Sequence, residues 1–282
     1  MKTLTTLSFT ITLLFATCNT LIAQEFHGKA VYQSKTTIKL DNNFGGRQIS
    51  EQQKKEMMSR MKSFLEKTYT LTFTQSESIY KEDETLNVSE GRGPRGGFMF
   101  GGGNSGITYK NIKTNQVVQQ QEFLGKQFLI KDSLQPLKWK MGSESKKIGQ
   151  YICFKATATK PFEGFDWKRN KPDENEKNTE KLADSSTTLK TPREIEIVAW
   201  YTPQIAVSHG PLKYWGLPGL ILELSADNTT VLCTKIVINP SESESIKPLK
   251  KGKVVTQKEY NKIVITKSEE MKEMFKRRRN NK

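Results

Sequence analysis

The sequence predicts an α+β domain dominated by β-structure: one curved antiparallel sheet with a helix in the N-terminal half and a C-terminal helix. Short segments of alternating apolar and polar residues recur along the chain, with turn residues between them. Two segments, 48–67 and 256–278, have helical periodicity and no proline or glycine. The order of one helix, then about eight to ten strands, then a helix favours a single antiparallel sheet over repeated βαβ units.

The first 23 residues have the composition of a secretory signal peptide. Lys2 supplies the positive charge, an apolar run extends from about Leu7 to Ala16, and Ala23 precedes the expected processing site. Cys18 would be the lipidation site of a lipoprotein, but the residues before it fit that signal poorly. We therefore expect an exported product, periplasmic or outer-membrane-associated, with residues 24–282 forming one domain and no transmembrane segment.

The N-terminal half of this domain reads as strands around one helix. Segments 28–40, 69–75 and 78–81 alternate as strands, and 107–112, 116–123 and 127–130 follow with the short spacing of an antiparallel meander. His27 lies just after the processing site and is expected in a mobile terminus. Two insertions interrupt the domain, a glycine-rich one at about 87–106 and a polar one at 160–192, and both are expected to be flexible.

The C-terminal half contains the predicted centre of the core, Leu220 to Leu224, a nearly continuous apolar run that suits a strand covered on both faces. Strands are also predicted at 148–159, 194–202 and 229–239. The corner before the run, 217–220, has the composition of a type II turn with Gly219 at positive φ. In strand 148–159 the alternation predicts Ile152 and Phe154 on the face of Ala156. Thr256 and Glu259 form a capping box that opens the last helix.

The segment around this corner resembles a known family. Its six residues Gly216, Leu217, Pro218, Gly219, Leu220 and Ile221 reproduce in full the signature of the GLPGLI family, exported proteins of Bacteroidetes-type bacteria. Supporting matches lie at Trp200–Pro203 and 147–156, whereas His209 departs from the pattern. The resemblance implies an exported protein, and the family has no established biochemical activity.

The preferred functional prediction is a non-enzymatic binding or accessory protein of the cell envelope. The architecture expected is an open half-barrel, similar in fold class to lipoprotein carriers such as LolA, and fold does not fix function. Its concavity would hold an apolar ligand or a partner segment on aromatic side chains. The predicted ligand-binding residues are Trp139, Trp200, Tyr201, Tyr214, Trp215 and Glu223.

Two alternatives use other side chains. An envelope hydrolase would use His209 or Glu223, although a surface-loop histidine and a structural ion pair, with Lys155 as the possible partner of Glu223, are the simpler interpretations. Methionine-based metal handling would use a set of thioethers, which otherwise simply pack helix faces. That set is Met57, Met58, Met61, Met271 and Met274.

The remaining composition bounds the partners. Cys153 and Cys233 form either one disulfide or two buried thiols, and their spacing from the two histidines does not suit zinc. The net charge of +15 fits solubility or peripheral contact with an anionic membrane surface. Basic and aromatic residues are not interleaved as in single-strand nucleic-acid binders, so no nucleic-acid partner is expected, and no cofactor motif is present.

Overall fold

The protein was analysed as a computed structural model. It describes residues 26–38, 43–44, 47–48, 50–83, 106–161, 193–241 and 245–280. The predicted signal peptide with Cys18 lies outside these residues, as do the predicted insertions apart from Gly106, Lys160 and Pro161.

Fourteen strands and two helices make up the described part of the chain. They are β1 His27–Thr36, β2 Asn43–Phe44, β3 Arg47–Gln48, α1 Glu51–Leu65, β4 Glu66–Thr74, β5 Glu77–Glu82, β6 Gly106–Asn111, β7 Gln116–Phe123, β8 Lys126–Ser133, β9 Lys140–Ile148, β10 Tyr151–Pro161, β11 Glu194–Thr202, β12 Leu220–Ala226, β13 Thr229–Ile238, β14 Lys253–Val255 and α2 Gln257–Asn280.

Twelve of the strands form one open, curved sheet, which confirms the predicted fold class. The order is β14-β8-β7-β6-β5-β4-β1-β13-β12-β11-β10-β9. Neighbouring strands are antiparallel except for β14, which pairs with β8 in parallel. Strand β1 lies inside the sheet, between the strands β4–β8 and the strands β9–β13. It pairs with β4 on one side and with β13 on the other. Strands β2 and β3 form a separate hairpin.

The apolar run predicted as the centre of the core is buried. Leu220 and Ile221 have no exposed surface, and Leu222 and Leu224 are 1% and 2% exposed. Cross-strand partners point to the same face of a sheet, so the register places Ala156, Ala199, Leu224 and Val231 in one buried row. The prediction that this strand serves the core is confirmed.

The predicted type II turn with Gly219 at positive φ is wrong. Gly216, three residues earlier, has the positive φ of 91°. Glycine is required at 219 for a different reason: a Cβ atom there would lie 2.1 Å from the carbonyl oxygen of Thr202. The corner thus brings two backbone segments into close contact. Glycine is required both in a type II turn and at such a contact, so its presence in the sequence does not distinguish the two.

Both helices begin at capping boxes and pack on different parts of the sheet. Ser50 and Gln53 cap α1, which contacts β4 and β1. At α2 the predicted box is confirmed: the Glu259 amide donates to Thr256 Oγ1 at 3.2 Å, and the Thr256 amide donates to Glu259 Oε2 at 2.7 Å. Tyr260 then packs edge-on against Phe128 of β8, with ring centres 5.4 Å apart. In the described residues no helix is both long and apolar enough to cross a membrane.

One local expectation in this region is corrected. The predicted strand 148–159 is the end of one strand and the start of another, because Gly149, at a φ of 57°, turns the chain between β9 and β10. Within β10 the register with β11 is continuous and pairs Phe154 with Tyr201 and Ala156 with Ala199, so Phe154 shares the face of Ala156 as the alternation predicts. Phe154 is 37% exposed on that face, whereas Ala156 is buried.

His27 is a second correction. It begins β1 instead of lying in a mobile terminus. Its amide donates to Asn239 Oδ1 and its ring lies 3.2 Å from the Pro240 carbonyl.

Candidate functional site

The segment between β11 and β12, residues 203–219, is called the central loop here, and it folds back onto the start of β12. The Leu220 amide donates to the Ile205 carbonyl at 3.0 Å, and the Ile221 amide donates to the His209 carbonyl at 3.0 Å. Within the loop, the Gly216 amide donates to the Ser208 carbonyl at 3.2 Å. Ile205, Val207 and Leu217 are buried, so the loop contributes to the core and does not lie free above it.

Lys110 of β6 holds the central loop through two hydrogen bonds. It is completely buried, and its ammonium donates to the carbonyls of Gly210 at 2.6 Å and Tyr214 at 2.9 Å. Burial lowers the pKa of Lys110 to about 7, because the charged form loses its hydration. Both acceptors lie in the central loop, so this lysine joins two parts of the chain that are a hundred residues apart.

His209 is buried beside the same lysine, and the expected surface-loop histidine is therefore wrong. Its exposure is 0%, and neither ring nitrogen has a hydrogen-bond partner among the described residues. The ring centre lies 6.4 Å from that of Phe73. Burial, and to a smaller extent the charge of Lys110, lowers the pKa of His209 to about 3. The Thr74 backbone raises the pKa slightly and does not offset these two effects. The imidazole is thus neutral and closed off from solvent.

Other polar groups share this interior. Ser78 pairs with Lys110 across β5 and β6, and its hydroxyl, like that of Tyr80, has no partner in the described part of the chain. The Tyr32 hydroxyl donates to the Ile221 carbonyl at 2.7 Å. Burial raises the pKa values of Tyr32 and Tyr80 far above the ordinary tyrosine range. Both tyrosines are protonated at physiological pH, and the Tyr32 hydrogen bond joins β1 to β12.

Four of the six predicted ligand-binding residues are engaged in packing. The Trp139 indole donates to the Trp215 carbonyl at 2.9 Å, and the Trp215 indole donates to the Gln135 carbonyl at 3.2 Å. Tyr214 is buried, with the Lys160 ammonium 5.2 Å from its ring centre. Tyr201 is buried against Phe154. The structure brings Trp139 and Trp215 together, whereas Tyr201 and Tyr214 belong to separate contacts.

The other two predicted residues, Trp200 and Glu223, form a partly exposed surface. The register pairs Lys155 with Trp200, Trp200 with Glu223, and Glu223 with Leu232. This row lies on the face opposite to the buried row of Ala199 and Leu224, because neighbouring residues of a strand point to opposite faces. We call Lys146, Lys155, Trp200, Glu223 and Leu232 the Trp200 surface.

Lys146 completes the Trp200 surface from the neighbouring strand β9. Its ammonium lies 2.7 Å from Glu223 Oε2 and 4.3 Å from the centre of the Trp200 ring. The ion pair predicted between Glu223 and Lys155 is therefore wrong in its partner, since Lys155 instead bonds Glu144 at 2.7 Å. The unforeseen strand β9 is what places Lys146 there. Trp200 is thereby held in one orientation by a cation above it and a carboxylate beside it.

A surface depression lies further along the same sheet and has different chemistry. Its lining includes Glu194, Glu196, Ser225 and an ion pair between Arg193 and Asp227. None of the six predicted ligand-binding residues borders it. Ile195 and Val198 also line it, so it is a mixed polar and aliphatic depression without aromatic side chains.

The two predicted cysteines lie on different strands, and the predicted methionines lie on two different helices. Cys153 and Cys233 are buried free thiols, on strands β10 and β13, which β11 and β12 separate. Burial raises their pKa values to about 11 and about 12. Met57, Met58 and Met61 belong to α1, beside β4, whereas Met271 and Met274 belong to α2, beside β8. Among described residues no three His, Cys, Asp or Glu side chains are arranged to bind a metal.

Sequence reasoning missed Lys110 and Lys146, the two lysines on which these arrangements depend. Lys110 follows Tyr109 in a strand that is buried on both faces, and nothing in the local pattern marks a buried ammonium. Lys146 lies in β9, a polar segment without apolar alternation. Only the cross-strand register reveals either lysine.

Comparison with known proteins finds a family model that matches part of the chain. Residues 139–223 match the family model described as "Protein of unknown function (Porph_ging)". The matched range begins at Trp139 and ends at Glu223, so it contains β9, β10, β11, the central loop and most of the Trp200 surface. No curated protein matches the chain at a significant level.

Two solved structures of PNGF-II match the chain weakly. The structure described as "Structure of PNGF-II in C2 space group" has 15% identity and a TM-score of 0.45, over 85% of this chain and 32% of that chain. The structure "in P21 space group" has 14% identity and a TM-score of 0.40, over 82% of this chain and 31% of that chain. The chain thus spans about a third of the length of these structures.

Proposed function

We propose that this protein is an exported, non-catalytic binding or accessory protein of the cell envelope, and that it belongs to the GLPGLI family. In this proposal the Trp200 surface holds a partner protein or an apolar ligand. The complete six-residue signature at 216–221 supports the family, and the signal-like first 23 residues support export.

The observation that carries the proposal is the partial exposure of Trp200 and its contact with Lys146. A partly exposed indole on the face opposite to the buried row, with the Lys146 ammonium 4.3 Å from its ring centre, offers an apolar contact with few rotatable bonds. Tryptophan is enriched among residues that dominate binding energy. Leu232, at 38% exposure, extends the apolar area across the neighbouring strands.

This proposal moves binding from the predicted concavity to the outer surface. Tyr201 and Tyr214 are buried, and the indole N–H groups of Trp139 and Trp215 bond backbone carbonyls of the chain. Trp139, Trp200, Trp215 and Glu223 of the predicted set remain partly exposed.

The hydrolase alternative has weaker support. His209 has no exposed surface, and its pKa of about 3 leaves it a poor base. Glu223 is paired with Lys146, and no hydrogen bond or ion pair joins it to His209 in the described residues. The two groups therefore do not form a shared polar cleft.

The test is capture from an envelope extract with matched variants. The tagged mature protein, Trp200→Thr and a control, Val254→Thr, are incubated with solubilised envelope, and bound lipid and protein are identified by mass spectrometry. Threonine keeps the preference for a strand. Val254 is 59% exposed in strand β14, at the other end of the sheet.

We expect a specific component that the wild type and the Val254 variant retain and that the Trp200 variant loses. Thermal unfolding of all three proteins verifies that the substitutions leave the fold intact. Equal capture by the Trp200 variant, or nothing above an empty-resin control, would reject the proposal.

A further inference from the structure

Strand β9 ends the twelve-stranded sheet, and no described residue pairs with its outer side. It is nine residues long, and residues 140–145 are all exposed. At the opposite end of the sheet, β14 has only three residues and α2 follows it directly and packs on its neighbour β8. A long open edge presents a row of backbone donors and acceptors to which a further strand can pair.

The regular part of this edge is short and well defined. Ser145 pairs with Phe154, Lys147 with Ile152, and Ile148 with Tyr151, whereas residues 142–144 bulge opposite Lys155. A bulge interrupts pairing on both sides of a strand. An added strand therefore has four consecutive residues, Ser145–Ile148, against which to pair.

The side chains of these four residues determine what such a strand contains. Ser145 and Lys147 lie on one face, in rows with Phe154 and Ile152, which are 37% and 53% exposed. A residue added opposite Ser145 reaches the Phe154 ring across a small side chain. A residue added opposite Lys147 meets an ammonium with the Ile152 side chain behind it.

The charge at this end of the sheet favours an acidic partner. Lys146 and Lys155 are paired with Glu223 and Glu144, but no ion pair is made by Lys138, Lys140 or Lys147 within the described residues. A second copy of the chain does not suit this edge, because two β9 strands side by side would oppose lysines to lysines.

We propose that β9 is a docking edge for an extended acidic segment of another protein, which pairs with Ser145–Ile148. The segment runs antiparallel, as nearly every neighbour in the sheet does. It carries an acidic residue opposite Lys147 and, two positions later, an aromatic or aliphatic residue opposite Ser145. This inference names the kind of partner and rests on the binding function proposed above.

The test uses synthetic peptides and amide exchange. The probe is a threonine-rich peptide of about eight residues, with glutamate followed two positions later by phenylalanine. Control peptides replace the glutamate by lysine, or the phenylalanine by alanine. Fluorescence anisotropy gives the Kd for the wild type, for Lys147→Glu and for a matched control, Lys131→Glu, an exposed lysine of β8. Hydrogen exchange follows the amides of 145–148.

We expect the glutamate peptide to bind the wild type and Lys131→Glu alike, and Lys147→Glu about tenfold more weakly. The lysine peptide should instead prefer Lys147→Glu, and bound peptide should slow exchange on β9. Equal weakening by both charge reversals, binding without protection of 145–148, or the absence of binding would overturn the proposal. Protection of the same amides through dimerisation would overturn it as well.

The two proposals fail separately. Loss of peptide binding together with envelope capture that still depends on Trp200 rejects the docking edge alone. Peptide binding that persists while capture is independent of Trp200 rejects only the role of the Trp200 surface.

Discussion

Replacing Lys110 by methionine tests how the central loop is held. Methionine has nearly the same length and volume but donates no hydrogen bond, so the carbonyls of Gly210 and Tyr214 lose their donor. Both residues are buried, so water does not replace the lost bonds freely. Leaving a buried acceptor unsatisfied costs about 1–3 kcal/mol. Two such acceptors predict a loss of about 2–6 kcal/mol when the wild-type lysine is uncharged.

The pH determines how much of this loss is visible. Burial lowers the pKa of Lys110 from 10.5 to about 7, so the folded state binds fewer protons than the unfolded state between these values. The stability that depends on this group is complete above pH 10.5 and is lost as the pH falls towards 7. The loss from pH 10 to pH 7 is about 4 kcal/mol for the wild type and is absent from the methionine variant.

The assay is urea unfolding of the wild type and of Lys110→Met at pH 7 and pH 10, followed by tryptophan fluorescence. We expect the variant to be clearly less stable at pH 10, with a deficit that shrinks by about 4 kcal/mol at pH 7. Lys113→Met, in the exposed turn after β6, is the control and should show no pH-dependent difference. No deficit at pH 10, or a larger one at pH 7, would refute the reasoning.

Two further predictions concern neighbouring residues. His209→Leu removes an imidazole whose ring nitrogens make no hydrogen bond of normal geometry within the described residues, so it should not destabilise the protein at pH 7. The neutral imidazole of the folded wild type costs no stability above pH 6.5, and the wild type loses stability as the pH falls from 6.5 towards about 3. At pH 5 the free energy of unfolding of the variant, relative to that of the wild type, should therefore be about 2 kcal/mol higher than at pH 7. An unchanged difference between the two pH values would contradict this. Gly219→Ala places Cβ 2.1 Å from a backbone oxygen and should cost about 3 kcal/mol or more of stability. In Gly142→Ala the Cβ atom would lie 3.3 Å from the Lys155 carbonyl oxygen, and this variant should cost less than about 1 kcal/mol in the same assay. Equal costs would contradict the close approach at Gly219.

Much of the fold could be predicted from local patterns. Alternation located β4 and β11 closely, because each has one buried and one more exposed face. The capping box at Thr256 located the start of α2 because its two bonds join residues only three apart. The apolar run of β12 was recognised as core because it is covered on both faces.

The elements that sequence reasoning missed depend on distant contacts. Strand β9 is polar and largely exposed, so its strand conformation comes from pairing with β10 and not from burial. Strand β14 has three residues and exists through its parallel pairing with β8. The bulge of residues 142–144 of β9 opposite Lys155 likewise leaves no mark in composition.

The candidate site was predicted in part for the same reason. Trp200 and Glu223 could be chosen because each is unusual for its position, an indole in a strand and a carboxylate in an apolar run. Their common location was not predictable, because it depends on pairing between β11 and β12. Lys110 is attached to Gly210 and Tyr214 across a hundred residues, a relation that no local window contains.

The measurement that tests the central claim most directly compares an outer variant with an inner one in a single capture experiment. The claim is that the interior of this sheet maintains the fold while the Trp200 surface binds. Folded Lys110→Met and Trp200→Thr are compared at equal concentration for the envelope component that the wild type retains. We predict retention by the Lys110 variant and loss by the Trp200 variant. Loss by the Lys110 variant with retention by the Trp200 variant would contradict the account.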